Sequence, residues 1–118
     1  MFRGRVSYPM HAALELITAF ALIAIPFALG MSLDATITAG VIGVVLFGLA
    51  VSATESEGRG TIPVSAHAAY DAAVALVLVG AAVVFGLAGQ HTALLFLLAA
   101  GTAQLTLNAL TRYTPVRT

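Results

Sequence analysis

The sequence has no cysteine, no lysine and no tryptophan, and only 8% of its residues are charged. Without cysteine there are no disulfides, thiolate nucleophiles, iron–sulfur clusters or cysteine-type zinc sites. Without lysine there is no Schiff base for retinal or pyridoxal phosphate and no Walker-type lysine. Five arginines face five acids, too little charge to wet a globular surface, where about 25% is usual. That scarcity excludes an ordinary soluble enzyme and a disordered tail. The missing basic stripe excludes nucleic acid as a partner.

What is present is apolar. Sixty per cent of the 118 residues are hydrophobic and the mean hydropathy is +1.03. Residues 1–118 read as a single integral membrane domain with the lipid bilayer as its solvent. A span needs about 20 apolar residues to cross roughly 30 Å of hydrocarbon. Four segments qualify: 12–29, 35–53, 68–85 and 93–110. Only helices or closed barrels satisfy the backbone in lipid. Runs such as Val41–Val51 do not alternate as barrel strands do, so the spans are expected to be helices.

The punctuation fits. Pro9 suits a first helical turn, Gly30 and Gly89 suit C-terminal caps, and Asp34 suits the cap of the second helix. The outer turns, Met31–Asp34 and Gly89–Thr92, are short, and the middle loop, Thr54–Pro63, is polar. All five arginines (Arg3, Arg5, Arg59, Arg112 and Arg117) fall on the side of the termini and the middle loop. The positive-inside rule therefore puts both termini in the cytoplasm, with the chain in the cytoplasmic membrane. The first apolar run is too long for a secretory signal, so it reads as a retained span.

Sliding the chain by 56 residues aligns its halves without a gap. His11-Ala-Ala-Leu-Glu15 falls on His67-Ala-Ala-Tyr-Asp71, Gly30 on Gly86, Thr36 on Thr92, Leu49 on Leu105 and Ala53 on Ala109. Each unit (about 8–57 and 64–113) holds two spans, so both share one orientation. The expectation is an all-α membrane fold of two tandem two-helix hairpins, related by a pseudo-two-fold axis along the membrane normal, packed as a four-helix bundle. Small-residue pairs at i, i+4 (Ala24/Ala28, Ala39/Gly43, Ala99/Ala103) are expected to let helices approach closely. Pro26 removes a backbone hydrogen bond in mid-span, which predicts a kink in the first helix.

Glu15 and Asp71 are the residues that demand an explanation, because acids inside spans are costly. Each shares a helix face with the histidine four residues before it, His11 or His67. Ser52 and Asn108 lie at similar depth on the second and fourth spans, and Gln104 lies one turn deeper on the face of Asn108. Tyr8, Tyr70 and Arg112 are close by. Tyr113, Tyr8 and Phe2 read as interfacial anchors, and His91 as solvated.

Three readings of this polar layer follow. The first is a satisfied layer that fixes helix register and has no catalytic role. The second is a proton-linked site, in which two facing acids raise one another's proton affinity and exchange protons for a small cation. The third is a ligand set. His11, Glu15, His67 and Asp71 could complete a tetrahedral zinc shell, or His11 and His67 could be axial ligands of haem. No nucleophile–base–orienter set is present, so no enzyme is expected. No cofactor is required by the first reading. The outer halves of the first and third spans, Leu22–Leu29 and Val77–Leu87, are wholly apolar, which weighs against a transport path within one monomer. The expected role is a non-catalytic accessory subunit or a homo-oligomeric structural membrane domain. A proton-coupled small-cation exporter, working as a dimer through Glu15 and Asp71, is the alternative.

Two families share features with the chain. Ile25-Pro-Phe-Ala-Leu-Gly-Met31 resembles the Pro-aromatic-x-x-Gly signature of the SPW-repeat membrane proteins, and Asp34–Val51 is similar to the small-residue helix that follows it. Ile25 stands where that family has Ser, and the second unit keeps only the Gly. The resemblance covers about residues 11–110 and implies a duplicated four-helix membrane domain without a known activity. Glu15 is also similar to the membrane-embedded Glu of the small multidrug resistance family, and Asn108–Pro115 resembles its C-terminal end. That likeness implies proton and drug binding at Glu15. The family's Trp and Gly-Val-Gly pattern in the third helix is missing here.

Overall fold

The computed structural model describes residues 5–53, 63–111 and 113. They form four helices: α1 (Tyr8–Ala28), α2 (Leu33–Ala53), α3 (Val64–Leu87) and α4 (His91–Leu110). All four are long and apolar enough to cross a membrane. Only 33%, 33%, 28% and 28% of their spanning windows are buried within the protein. The outward faces carry large apolar side chains such as Phe27, Leu76, Leu87 and Leu95. A fold that leaves such faces outward is suited to hydrocarbon, since water would penalise each of them.

Local chemistry sets the helix ends. The Ser7 hydroxyl accepts from the Met10 amide, and Pro9 sits in the first turn of α1, where no partner for its nitrogen is needed. Both hairpins turn through the same motif. Gly30 (φ 63°) and Gly89 (φ 84°) adopt the left-handed conformation. The next amide returns to the third-last helical carbonyl, Met31 to Pro26 and Gln90 to Phe85. The α2 cap differs from expectation. Ser32, not Asp34, accepts from the Ala35 amide, and Asp34 lies inside the first turn, where its charge favours the positive end of the helix dipole. The Ser32 hydroxyl also donates to Gln90 Oε1 at 2.7 Å, tying the two outer turns together.

Packing is closest within each hairpin, α1 on α2 and α3 on α4. Two glycines permit it. A Cβ on Gly43 would stand 2.9 Å from the Ala19 carbonyl oxygen, and one on Gly101 would stand 2.9 Å from Val79 Cγ2. Of the expected small pairs, Ala39/Gly43 lies at the interface, whereas Ala24, Ala28, Ala99 and Ala103 are exposed. Small size alone does not fix the face; α4 instead buries Ala93, Leu97, Gly101 and Gln104. The middle of the bundle is a wholly apolar core of Ala19, Leu22, Ala39, Ile42, Leu46, Leu49, Val74, Leu78, Ala82 and Leu97. Pro26 is buried within a helix that runs on to Ala28.

Burial repeats along the chain with two spacings. In α1 and α3 the buried pairs are His11/His67, Glu15/Asp71, Ala19/Ala75, Leu22/Leu78 and Pro26/Ala82, all 56 apart. In α2 and α4 the matching buried residues are Ala35/Ala93, Ala39/Leu97, Gly43/Gly101, Leu46/Gln104 and Leu49/Leu107, all 58 apart. The residues paired by a gapless slide of 56 differ in burial in the later helices: Leu49 is buried, but Leu105 is 42% exposed. α3 has 24 residues against 21 in α1, and the turn after it is one residue shorter, Gly89 to His91 against Gly30 to Leu33, so the spacing grows by two between the first and second helix of each hairpin.

Candidate metal centre

The polar side chains buried among the described residues gather at one end of the bundle. His11, Glu15, His67, Asp71 and Gln104 have no exposed surface at all, and Thr111 has 5%. α1 supplies His11 and Glu15 on successive turns of one face, and α3 supplies His67 and Asp71 in the same way. α4 brings Gln104 and Asn108. A short parallel bridge between Val6 and Thr111, with the Val6 amide donating to the Leu110 carbonyl, folds the chain ends together over this end.

The two histidines reach the two carboxylates with the same atom. His11 Nε2 lies 2.9 Å from Glu15 Oε2 and 2.8 Å from Asp71 Oδ2. His67 Nε2 lies 3.3 Å from Glu15 Oε1 and 3.2 Å from Asp71 Oδ2. Each carboxylate thus touches both the histidine of its own helix and that of the other hairpin, and the quartet joins α1 to α3.

The surrounding hydrogen bonds orient these groups. Thr111 has one hydroxyl hydrogen, which it donates to the Leu107 carbonyl at 2.6 Å. Its oxygen must therefore accept from His11 Nδ1–H, also at 2.6 Å. His11 is fixed with Nδ1 protonated and Nε2 directed at the acids. Gln104 Nε2 donates to Glu15 Oε2 at 2.9 Å and to Asn108 Oδ1 at 3.1 Å. Tyr113 donates its phenol to Asp71 Oδ2 at 2.7 Å. Burial, followed by the neighbouring Asp71 charge and this hydrogen bond, pushes the Tyr113 phenol far above its ordinary proton affinity. Tyr8 closes the same end, its ring edge-on to His67 at 5.4 Å, while Tyr113 stands edge-on to His11 at 5.3 Å.

Among the described residues, four buried polar atoms have no partner: His67 Nδ1, Asp71 Oδ1, Gln104 Oε1 and Asn108 Nδ2. An orphaned carboxylate oxygen in an apolar interior is costly. One donor atom from each of His11, Glu15, His67 and Asp71 can be chosen so that all four lie within 4.8 Å of one another. Donors about 2.0–2.1 Å from one tetrahedral ion stand about 3.3 Å apart, close to the nitrogen–oxygen separations seen. The residues present therefore fit a small ion. They do not fit haem between His11 and His67, because both Nε2 atoms contact the same Asp71 oxygen and no slab remains for a macrocycle.

The expected site is largely assembled. Glu15, Asp71, His11, His67, Gln104 and Asn108 are brought together. Ser52 is not: its hydroxyl donates to the Leu49 carbonyl of its own helix. It lines, with Tyr70, an apolar groove between α2 and α3 of about 650 Å³. Ser52 fails because α2 turns its apolar Leu46–Leu49 face inward at this level. Tyr70 is 53% exposed. Thr111 and Tyr113 were not expected in the site. Tyr113 follows Asn108 by five residues, and only the chain-end bridge turns it back over the acids. Arg112 lies outside the described residues, as do Phe2, Arg3, Arg59, Arg117, Glu55 and Glu57. No family model, no curated protein and no solved structure matches the chain.

Proposed function

We propose that the protein is a non-catalytic structural or accessory component of the cytoplasmic membrane, with both termini cytoplasmic, in which two tandem hairpins are clamped together by a buried ionisable quartet. The observation that carries this reading is the placement of His11, Glu15, His67 and Asp71. They are wholly buried and cross-linked between hairpins at one end, above a core that is apolar throughout. A polar cluster confined to one level specifies how helices meet. The paired burial of α1 with α3 and of α2 with α4 supports descent from a duplicated hairpin, with a net two-residue adjustment across the longer α3 and the shorter turn that follows it. The SPW-repeat likeness is proposed on the same ground.

A dimeric proton-coupled exporter through Glu15 and Asp71 has less support. Exchange across the membrane requires polar groups beyond the quartet. Among the described residues, the hydroxyls of Thr18 and Thr38 are spent on their own helix carbonyls. Cross-linking in native membranes followed by purification tests the accessory reading. A defined partner or a stable homo-oligomer is expected, and a monodisperse monomer contradicts it.

A further inference from the structure

We infer that His11, Glu15, His67 and Asp71 bind one divalent transition-metal ion of the zinc class, in a closed four-ligand site that joins the two hairpins. This goes beyond the structural clamp. A chain that binds no metal leaves the clamp reading intact, and a chain that binds metal as a monomer leaves this inference intact.

Four nitrogen–oxygen contacts of 2.8–3.3 Å converge through two Nε2 atoms. Each Nε2 has at most one hydrogen, so two hydrogens must be divided over four contacts. A single divalent cation at the centre displaces any Nε2 hydrogen to solvent as a proton and replaces four shared contacts with four full bonds. The atoms that would bind it already face one another.

The groups around the quartet are arranged as a metal site requires. His11 is held by Thr111 with Nδ1 protonated, the arrangement that leaves Nε2 as the donor to a metal. Each carboxylate has an outer donor of its own, Gln104 on Glu15 and Tyr113 on Asp71. Such outer partners are what hold ligands in place around an ion. Asp71 is fully buried, yet its Oδ1 has no partner among the described residues, so that oxygen is available to a cation beside the contacting Oδ2.

Charge and donor type select the ion. Two carboxylates with two neutral imidazoles carry two negative charges, which one divalent cation neutralises inside an apolar bundle. Imidazole nitrogen with carboxylate oxygen suits zinc and its first-row neighbours. Magnesium and calcium prefer shells of oxygen alone. With four protein donors, the site is of the closed, structural kind.

The test uses the full chain in detergent, stripped with chelator and then titrated with Co(II). The inference expects intense visible d–d bands of tetrahedral cobalt, saturating at one ion per chain and abolished by one equivalent of Zn(II). Magnesium in large excess is expected to leave the bands unchanged. His67→Gln and Asp71→Asn should each remove the bands. Tyr113→Phe keeps all four ligands and should weaken binding about 10- to 100-fold, which keeps the test open if a ligand variant does not fold. Ser52→Ala, outside the site, should bind as the parent does. A wild-type chain that leaves cobalt octahedral, or bands that persist in folded His67→Gln and Asp71→Asn proteins, overturns the inference.

Discussion

His11 Nε2 and Asp71 Oδ2 meet at 2.8 Å, although 60 residues separate them and they belong to different hairpins. Both residues are completely buried. The contact is possible because the acid of each hairpin sits one helical turn beyond its own histidine. When the two faces meet, each histidine reaches both acids. Packing between hairpins is sparse compared with packing inside them, so this polar contact is a large part of what defines their relative placement.

Removal of one member leaves charge without a partner in an apolar interior. Asp71→Ala is expected to destabilise the protein by about 3–5 kcal/mol. Reversible unfolding in mixed detergent micelles measures it. Ser52→Ala, whose hydroxyl serves only its own helix, should change stability by less than about 0.5 kcal/mol.

The hairpins themselves depend on two close approaches. Gly43→Ala and Gly101→Ala each push a Cβ to 2.9 Å of a neighbouring helix, and each is expected to cost about 1–3 kcal/mol. Gly48→Ala meets nothing within 4 Å and, by relieving helix entropy, should be neutral or slightly stabilising. The same unfolding measurement compares the three.

Tyr113 provides a pH readout at the rim of the quartet. Its phenol is held in the neutral form by burial and by Asp71, so its proton affinity is higher in the folded chain than in the unfolded one. Its contribution to stability is complete below the ordinary phenol value of 10.0. It falls as pH rises above that value, because only the unfolded chain then releases the proton. Tyr113→Phe should remove the latest-titrating step from the phenolate absorbance.

Much of this architecture is legible in the sequence, for physical reasons that differ from part to part. Four apolar runs between Gly and Pro punctuation require spanning helices, because lipid offers the backbone no partners. The His-x-x-x-acid spacing gives the faces of α1 and α3, and the structure brings both to one place. Ser52 was less legible, since depth in the membrane fixes level but not azimuth. The adjustment between the 56- and 58-residue spacings was hidden because Ala-, Leu- and Val-rich helices align in several registers. Thr111 and Tyr113 enter the site only through the bridge between the chain ends, a contact with no local signature.

Transport is a separate matter from binding. In proteoliposomes carrying a proton gradient, the chain is expected to drive no accumulation of a lipophilic cation above protein-free vesicles. Accumulation that disappears in Glu15→Gln would favour the exporter instead.

The most direct measurement of the clamp is a double-mutant cycle on His11 and Asp71, using His11→Ala, Asp71→Ala and the pair, unfolded in chelator so that no metal contributes. Coupling between the two positions of about 0.5–3 kcal/mol is the expected result for groups in direct contact. Effects that simply add, within about 0.3–0.5 kcal/mol, would contradict the claim that this quartet holds the two hairpins together.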